Sequence, residues 1–267
     1  MVEAMGSRKQ HIREKLMSRG EVEFSALAAE CGVSEMTIRR DIDALEAEGI
    51  VRKVIGGAIA LGKIAEPTFE IRSGLDVDSK IHIAESAVEQ LSVHETVIID
   101  SGSTALAVAR AVRGRGLGLT VVTPSLYVAV ELASEPDTTV LLTAGLVRPG
   151  ELSLIGVEAI ESFRAYNCDT FVMGVAGVHE HRGFTDYHRE ESAVKRAAIA
   201  ASDRLIVVAD QSKIGRVYLS NIAPLDAADT LVTDDPTDSA ATLAAARAGV
   251  SVIKAPSSTN LRGDLAQ

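Results

Sequence analysis

Between residues 96 and 253, short runs of β-branched and aliphatic residues alternate with helical stretches. The runs are Thr96-Val97-Ile98-Ile99, Leu119-Thr120-Val121-Val122, Thr139-Val140-Leu141-Leu142, Thr170-Phe171-Val172-Met173, Leu205-Ile206-Val207-Val208 and Thr230-Leu231-Val232-Thr233, with Val250-Ser251-Val252-Ile253 as a last one. Helical stretches at 80–91, 104–112, 126–133, 190–201 and 238–247 separate most of them. Continuous apolar runs leave neither strand face to water, so both must be covered. Strands of this kind joined by helices define a mainly parallel α/β sheet. Residues 79–255 are therefore expected to form one large α/β domain.

Open sheets of this class bind ligands beyond the carboxyl ends of their strands. The residues delivered there are unusually polar. The first strand runs into Asp100-Ser101-Gly102-Ser103-Thr104, where Gly102 permits a tight turn. Ser103, Thr104 and the N–H groups of the following helix can surround a phosphate. The second strand delivers Thr123-Pro124-Ser125, the third Thr143-Ala144-Gly145 and then Arg148, and the fifth Ala209-Asp210-Gln211-Ser212-Lys213. With Lys195 from the 190–201 helix, these groups compose a polar pocket suited to an anionic polyol. A Ser-Gly-Ser-Thr turn alone is as often structural; four such loops after four strands carry more weight.

A second, smaller pattern precedes this domain. Ile12 and Leu16 mark one amphipathic helix, and Phe24, Leu27 and Ala28 a second, which Gly32 ends. Ser34 is a suitable N-cap, and Ile38, Ile42 and Leu45 repeat on one face of the helix that follows. Glu35, Met36, Thr37, Arg39 and Arg40 then lie on its other sides. Two helices joined by a short turn containing glycine form a helix-turn-helix, whose second helix enters the DNA major groove. Arg39 and Arg40 can read guanine edges or grip phosphates. Arg52 and Lys53 fall in a following strand, and Gly56-Gly57 is expected to turn it into a two-stranded wing. The competing reading is a protein-interaction module whose arginines are ordinary solvated charges.

Charge placement favours DNA. Residues 1–62 carry nine Lys/Arg and ten Asp/Glu, so the head is not basic overall, which favours the interaction-module reading; the case for DNA rests on the placement of Arg8, Lys9, Arg39, Arg40, Arg52 and Lys53. Residues 63–267 carry eighteen and twenty-seven. Nearly all of the net charge of −10 thus belongs to the large domain, which would repel DNA and leave the head as the contact surface. Aromatic residues are 3% and tryptophan is absent, against a stacking platform for single strands. Cys31 and Cys168 are expected to be buried free thiols, and their spacing with the histidines offers no metal site. No run of eighteen apolar residues and no basic-then-apolar N-terminal signal occurs, so a cytoplasmic location is expected and a membrane partner is not.

Val33-Ser34-Glu35-Met36-Thr37-Ile38-Arg39-Arg40-Asp41, followed by Leu45, Gly49, Arg52 and Gly56-Gly57, resembles the DNA-binding head of the DeoR family of bacterial sugar-metabolism regulators. The resemblance continues through Asp100-Ser101-Gly102-Ser103-Thr104, Glu190-Glu191-Ser192-Ala193-Val194-Lys195-Arg196 and Asp210-Gln211-Ser212-Lys213-Ile214-Gly215. It implies a sensor domain similar to ribose-5-phosphate isomerase and CoA-transferase folds. It also implies a phosphate at Ser103 and Thr104 and a sugar among Asp100, Lys195, Asp210 and Lys213. The chain departs from the family pattern at four places: Ile55 replaces a common histidine, Pro124 an asparagine, Ala144 a glycine, and Asp186-Tyr187-His188 a Thr-Pro-Asp.

An isomerase would need a general base and enediolate stabilisation. The carboxylate-rich loop of the isomerases is represented here by Gly174-Val175-Ala176-Gly177-Val178-His179-Glu180, which keeps one carboxylate. Glu191 and Lys195 have the spacing of an ordinary helical i, i+4 pair. His179, His181 and His188 fall in an expected loop. No catalytic residue, metal or cofactor is therefore assigned.

The expected chain has a winged helix-turn-helix domain over residues 1–61, a linker over 62–78, an effector-sensing and oligomerising α/β domain over 79–255 and a disordered tail over 256–267. Its partners would be double-stranded operator DNA and a phosphorylated sugar effector. A homodimer or homotetramer would place two heads on half-sites about 34 Å apart or a multiple of that. Repression is the expected mode; an activator of the same build, or a sugar-phosphate enzyme with an appended head, are the alternatives.

Overall fold

The computed structural model describes residues 8–9, 11–13, 15–16, 20–47, 51–60 and 66–256. It comprises two compact units, Met1–Ile71 and Arg72–Gln267.

In the first unit, the described residues between 8 and 16 are helical and bury Ile12 and Leu16. Strand β1 (Glu21–Glu23) leads directly into α1 (Phe24–Cys31). Gly32 adopts a left-handed conformation that ends α1, its N–H turned back to the Ala28 and Ala29 carbonyls. Helix α2 (Glu35–Ala47) follows, then the hairpin β2 (Val51–Val54) and β3 (Gly57–Ala60). Phe24, Leu27, Ile38, Ile42 and Leu45 are the expected apolar faces, and they share one core with Ile12, Leu16 and Val51. The sheet order is β1-β3-β2, all antiparallel. Sequence periodicity missed β1, which is too short to show alternation. The hairpin turn also differs from expectation. Ile55 and Gly56 make it, while Gly57 opens β3, where a Cβ would meet the Val22 carbonyl oxygen at 2.1 Å. The first glycine supplies the positive φ of +80°; the second lets β1 approach.

The second unit is built on seven parallel strands: β4 (Thr96–Ile99), β5 (Thr120–Thr123), β6 (Thr139–Leu142), β9 (Cys168–Gly174), β12 (Ser202–Val208), β14 (Thr230–Thr233) and β15 (Ser251–Lys254). Their order is β15-β14-β12-β9-β4-β5-β6. All seven expected runs form strands. A hairpin of β7 (Leu146–Val147) and β8 (Leu154–Ile155) and a small antiparallel sheet of β10 (Gly177–His179), β11 (Gly183–Asp186) and β13 (Ser220–Ala223) complete the strands. The expected histidine loop is thus largely the β10–β11 hairpin.

Alternate residues of the central strands feed two separate cores. Ile98, Phe171, Met173, Leu205, Val207 and Leu231 point to one face, packed by α7 (Val157–Phe163), α8 (Arg189–Ala200) and α9 (Ala240–Arg247). Val97, Ile99, Val172, Ile206, Val208 and Val232 point to the other, packed by α4 (Val77–Val88), α5 (Ser103–Val112) and α6 (Leu126–Leu132). Period-two alternation within all-apolar runs is what a sheet covered on both faces requires.

Part of the expected linker is regular structure: α3 (Phe69–Gly74) lies within residues 62–78, and α4 begins at Val77. The glycine, proline and mixed charge there mark short breaks rather than one irregular connection. Residues 61–65 and 257–267, parts of the expected head, linker and tail, lie outside the described residues. Cys168 is buried as expected, whereas Cys31 is only half-buried at the end of α1; both are free thiols.

Candidate functional site

The strand order reverses at β4. The chain moves from β4 outward through β5 and β6, then returns to place β9 on the other side of β4. Loops leaving β4 and β9 diverge at such a point and open a crevice at the carboxyl edge of the sheet. Asp100 sits at this crevice, 2% exposed. Its Oδ1 accepts the Ser101 N–H at 2.8 Å. Its Oδ2 accepts the Gly174 N–H at 3.0 Å and the Lys195 ammonium at 2.5 Å. Lys195 also donates to the Gly174 carbonyl at 2.7 Å and lies 3.3 Å from the Asp186 carboxylate. Those three partners use the three donors of an ammonium group. Burial opposes the charge on Lys195, but Asp100 and Asp186 outweigh it and raise its pKa. Asp100 and Lys195 are thus brought together as the floor of the crevice, tying β4, β9 and α8.

Glu191 does not form the expected helical pair with Lys195. Its carboxylate takes the Arg148 guanidinium at 2.7 Å and the Ser153 hydroxyl at 2.6 Å. The i, i+4 spacing places Glu191 and Lys195 on one face, yet longer-range partners from β4 and from the β7–β8 hairpin win. Burial alone would raise the Glu191 pKa; the Ser153 hydrogen bond and Arg148 hold it below the usual carboxylate range. Thr123 and Ser125 serve the adjoining loop: the Thr123 hydroxyl accepts the Ser125 N–H at 3.1 Å, and the Ser125 hydroxyl caps α6 through the Val128 N–H at 3.3 Å. Gly145 has a φ of +131°, and a Cβ there would meet the Ile155 carbonyl at 2.7 Å. These three expected site residues shape loops beside the crevice.

After β12, buried Asp210 accepts the Ser212 N–H at 2.9 Å and the Ser212 hydroxyl, and Lys213 stands 3.9 Å from it. Burial opposes the carboxylate charge, but Lys213, Ser212 and Lys80 lower its pKa. Ser103 and Thr104 occupy the first turn of α5, half-buried, behind Gly102 with its φ of +95°. Among the described residues no hydrogen bond engages their hydroxyls, so they remain open to a ligand.

In the head, the Ser34 hydroxyl accepts the Thr37 N–H at 3.3 Å, as an N-cap does. Glu35, Met36, Arg39 and Arg40 are exposed, Met36 by 62%. The cations differ in their surroundings. The Arg39 guanidinium lies 4.5 Å over the Phe24 ring and 3.6 Å from Glu35. Lys53 pairs with Asp43, and its N–H donates to Glu46 at 2.8 Å. Arg8, expected among the basic residues available to DNA, is a brace instead: its Nε donates to buried Asp41 at 2.6 Å. Among the described residues Arg40 and Arg52 have no carboxylate partner.

Sequence reasoning missed Lys80, Asp186, Ser153 and Glu151. Lys80 carried a signal: it precedes Ile83 and Ala84 by three and four residues, on the buried face of α4. Asp186 stood in the departure from Thr-Pro-Asp, and the structure places it against Lys195. Ser153 and Glu151 lie in a loop with no local pattern.

A helix-turn-helix with a strand-paired wing, followed by an open parallel sheet with a polar crevice at its switch point, defines a DNA-binding regulator with a sensor domain. Residues 8–63 match the DeoR-like helix-turn-helix domain, and residues 75–235 match the DeoR C-terminal sensor domain. The chain belongs to the DeoR family of transcriptional regulators. It is 33% identical to the HTH-type transcriptional regulator GolR of Listeria innocua over 76% of this chain and 80% of that protein. It is 28% identical to the glycerol-3-phosphate regulon repressor of Escherichia coli K12 over 84% of this chain and 89% of that one. Ribose 5-phosphate isomerase A from Methanocaldococcus jannaschii aligns at a TM-score of 0.40 with 15% identity, covering 52% of this chain and 55% of that one.

Lys195→Met should destabilise the α/β unit by about 3–5 kcal/mol, because it leaves buried Asp100 and Asp186 without a counter-charge. Urea unfolding measures this; an unchanged midpoint would refute it. Glu191, held low, contributes stability that is present above its unfolded pKa near 4.5 and is lost as pH falls through the lower folded value. Glu191→Gln should therefore flatten the acid limb of stability as pH falls below about 4.5, with no change of slope near neutral pH. Identical pH profiles for variant and parent would contradict that assignment.

Proposed function

We propose that this chain is a cytoplasmic repressor of a carbohydrate-metabolism operon, released from operator DNA by a phosphorylated sugar or related metabolite. The division of labour is a head over 1–61 that reads DNA, a linker over 62–78 that contains α3, and an effector-sensing body over 79–255. The observation that carries the reading is the switch-point crevice. Open hydroxyls at Ser103 and Thr104 and the cation Lys213 come from loops at the carboxyl edge of one sheet, over a floor whose charges are already matched. That arrangement attracts an anion. The E. coli relative is named as a repressor of a glycerol-3-phosphate regulon, which favours repression and a phosphorylated effector. The described residues include no helix long and apolar enough to cross a membrane.

In this reading Ser34, Glu35, Met36 and Thr37 open α2 at the major groove, with Arg40 as its least encumbered cation. Arg39 contacts DNA only at the cost of its Phe24 stacking, and Lys53 only in competition with Asp43. Arg52 binds backbone phosphate. Asp100, Gly102 and Lys195 set the crevice geometry, Thr123, Ser125 and Gly145 its rim, and Arg148, Asp210 and Lys213 its charge. A homodimer or homotetramer presents paired heads to an operator of two half-sites.

Arg40→Ala should weaken operator binding more than Lys53→Ala. If Arg40 reads a base, the loss is about 1–3 kcal/mol at one operator position. If it holds phosphate, the loss is uniform and the salt slope falls by about one. Fluorescence anisotropy on operator variants across a salt series distinguishes these, and wild-type binding by the Arg40 variant would exclude both. Lys213→Ala should leave operator binding intact and remove release by the metabolite, measured in the same assay with a panel of sugar phosphates. Retained release at wild-type concentrations would remove Lys213 from the effector site.

A further inference from the structure

A cavity of about 300 Å³ lies between α4 and α5, lined by Ser73, Lys80, Ser103, Leu106, Ala107 and Arg110 among others. It shares Ser103 with the proposed phosphate turn and extends to Lys80, whose charge also acts on Asp210. Lys80 is 6% exposed. Its ammonium donates to the backbone carbonyls of Arg72 and Leu75, at and just beyond the end of α3. Burial pushes its pKa down to about 8, against the attraction of Asp210 and Asp76 and with the repulsion of Lys213 and Arg72. Glu85 also lines this cavity. A charged ammonium held by two neutral carbonyls in a buried place is electrostatically underpaid, and an incoming dianion would be a stronger partner. Leu106 and Ala107 give the cavity an apolar wall, and low polarity there strengthens such an attraction.

The carbonyls that Lys80 holds belong to the first residues of the second unit, directly after Ile71. Arg72 is held on its other side by buried Glu151. Lys80 therefore joins a ligand-sized cavity to the stretch of chain that continues into the head.

We propose that this cavity receives the phosphate group of the effector between Ser103 and Lys80, and that capture of the Lys80 ammonium releases the Arg72 and Leu75 carbonyls and so alters operator affinity. The inference rests on the body being a phosphate-responsive sensor. Ligand and operator are then coupled because the ligand favours the released state of α3, and without that difference it shifts nothing.

The test uses the full-length chain and measures operator affinity by anisotropy, with and without saturating triose, pentose and hexose monophosphates, inorganic phosphate serving as the control. Wild-type affinity should change by about 5–150-fold with one sugar phosphate, the usual span of allosteric coupling. In Lys80→Met the ratio should collapse to below about 3-fold even at saturation, because the carbonyls are already free. Lys80→Arg, which keeps a cation, should retain a larger ratio than Lys80→Met. Ala107→Leu, which fills the cavity without touching the latch, should need at least about tenfold more ligand for the same release. It replaces Lys80→Met as the deciding variant if the latter fails to fold by circular dichroism. A wild-type ratio in Lys80→Met, or an unshifted response in Ala107→Leu, would overturn this inference and leave the sensor reading standing. A wild-type protein unaffected by every sugar phosphate would overturn both.

Discussion

The ion pair between Asp100 and Lys195 is the constraint on which the sensor unit depends. Two charges this deep are tolerated because every polar atom is matched: two backbone N–H groups and an ammonium on the carboxylate, two carboxylates and a carbonyl on the ammonium. The pair fastens α8 to the carboxyl ends of the paired strands β4 and β9, where the loops that leave them diverge. It spends its donors and acceptors on the protein, so it defines the crevice without competing for a ligand. Among the described residues, the hydroxyls of Ser103 and Thr104, in the helix turn that follows Asp100, make no such hydrogen bonds. Loss of one member would leave charge with no escape to water.

Much of this architecture was legible in the residues. Every strand of the large sheet announced itself as an apolar run, because a strand covered on both faces must be apolar throughout. Four of the five expected helical stretches fell between those runs, whereas α7, which also lies between two of them, had no counterpart among the five. The helix-turn-helix was equally plain, since Ile38, Ile42 and Leu45 repeat at helical spacing behind a capping serine. The small elements were not legible. Strand β1 has three residues, and its only buried side chain is Val22. In the β10–β11–β13 sheet a short hairpin pairs with β13, a segment distant in sequence, and no local pattern encodes that pairing.

For the candidate site, sequence supplied the residues but not their partners. Arg148, Lys195 and Lys213 look alike as exposed-type cations in a chain. In the fold one is bound to Glu191, one is buried among carboxylates and one stands beside Asp210. In the head the same holds: Arg39, Arg40, Arg52 and Lys53 form one basic group on paper, but Phe24, Glu35 and Asp43 divide them into engaged and available. Part of this sorting depends on contacts across thirty or more residues, as between Arg8 and Asp41 or Arg148 and Glu191, and no local periodicity encodes those.

The sheet also partitions the interior of the sensor unit. Phe171 and Met173 belong to one core and Val172, between them, to the other, with backbone as the only material separating the two. Overpacking in one compartment cannot be relieved by rotamer changes in its neighbour, since no side chain crosses the sheet. Substitutions on the two sides should accumulate as two nearly independent histories. Helices α4 and α5, which form the cavity wall, lie wholly on one side. A lineage could therefore remodel that wall for a new metabolite while the opposite core, with α8 and the lysine it contributes to the floor, stayed as it was.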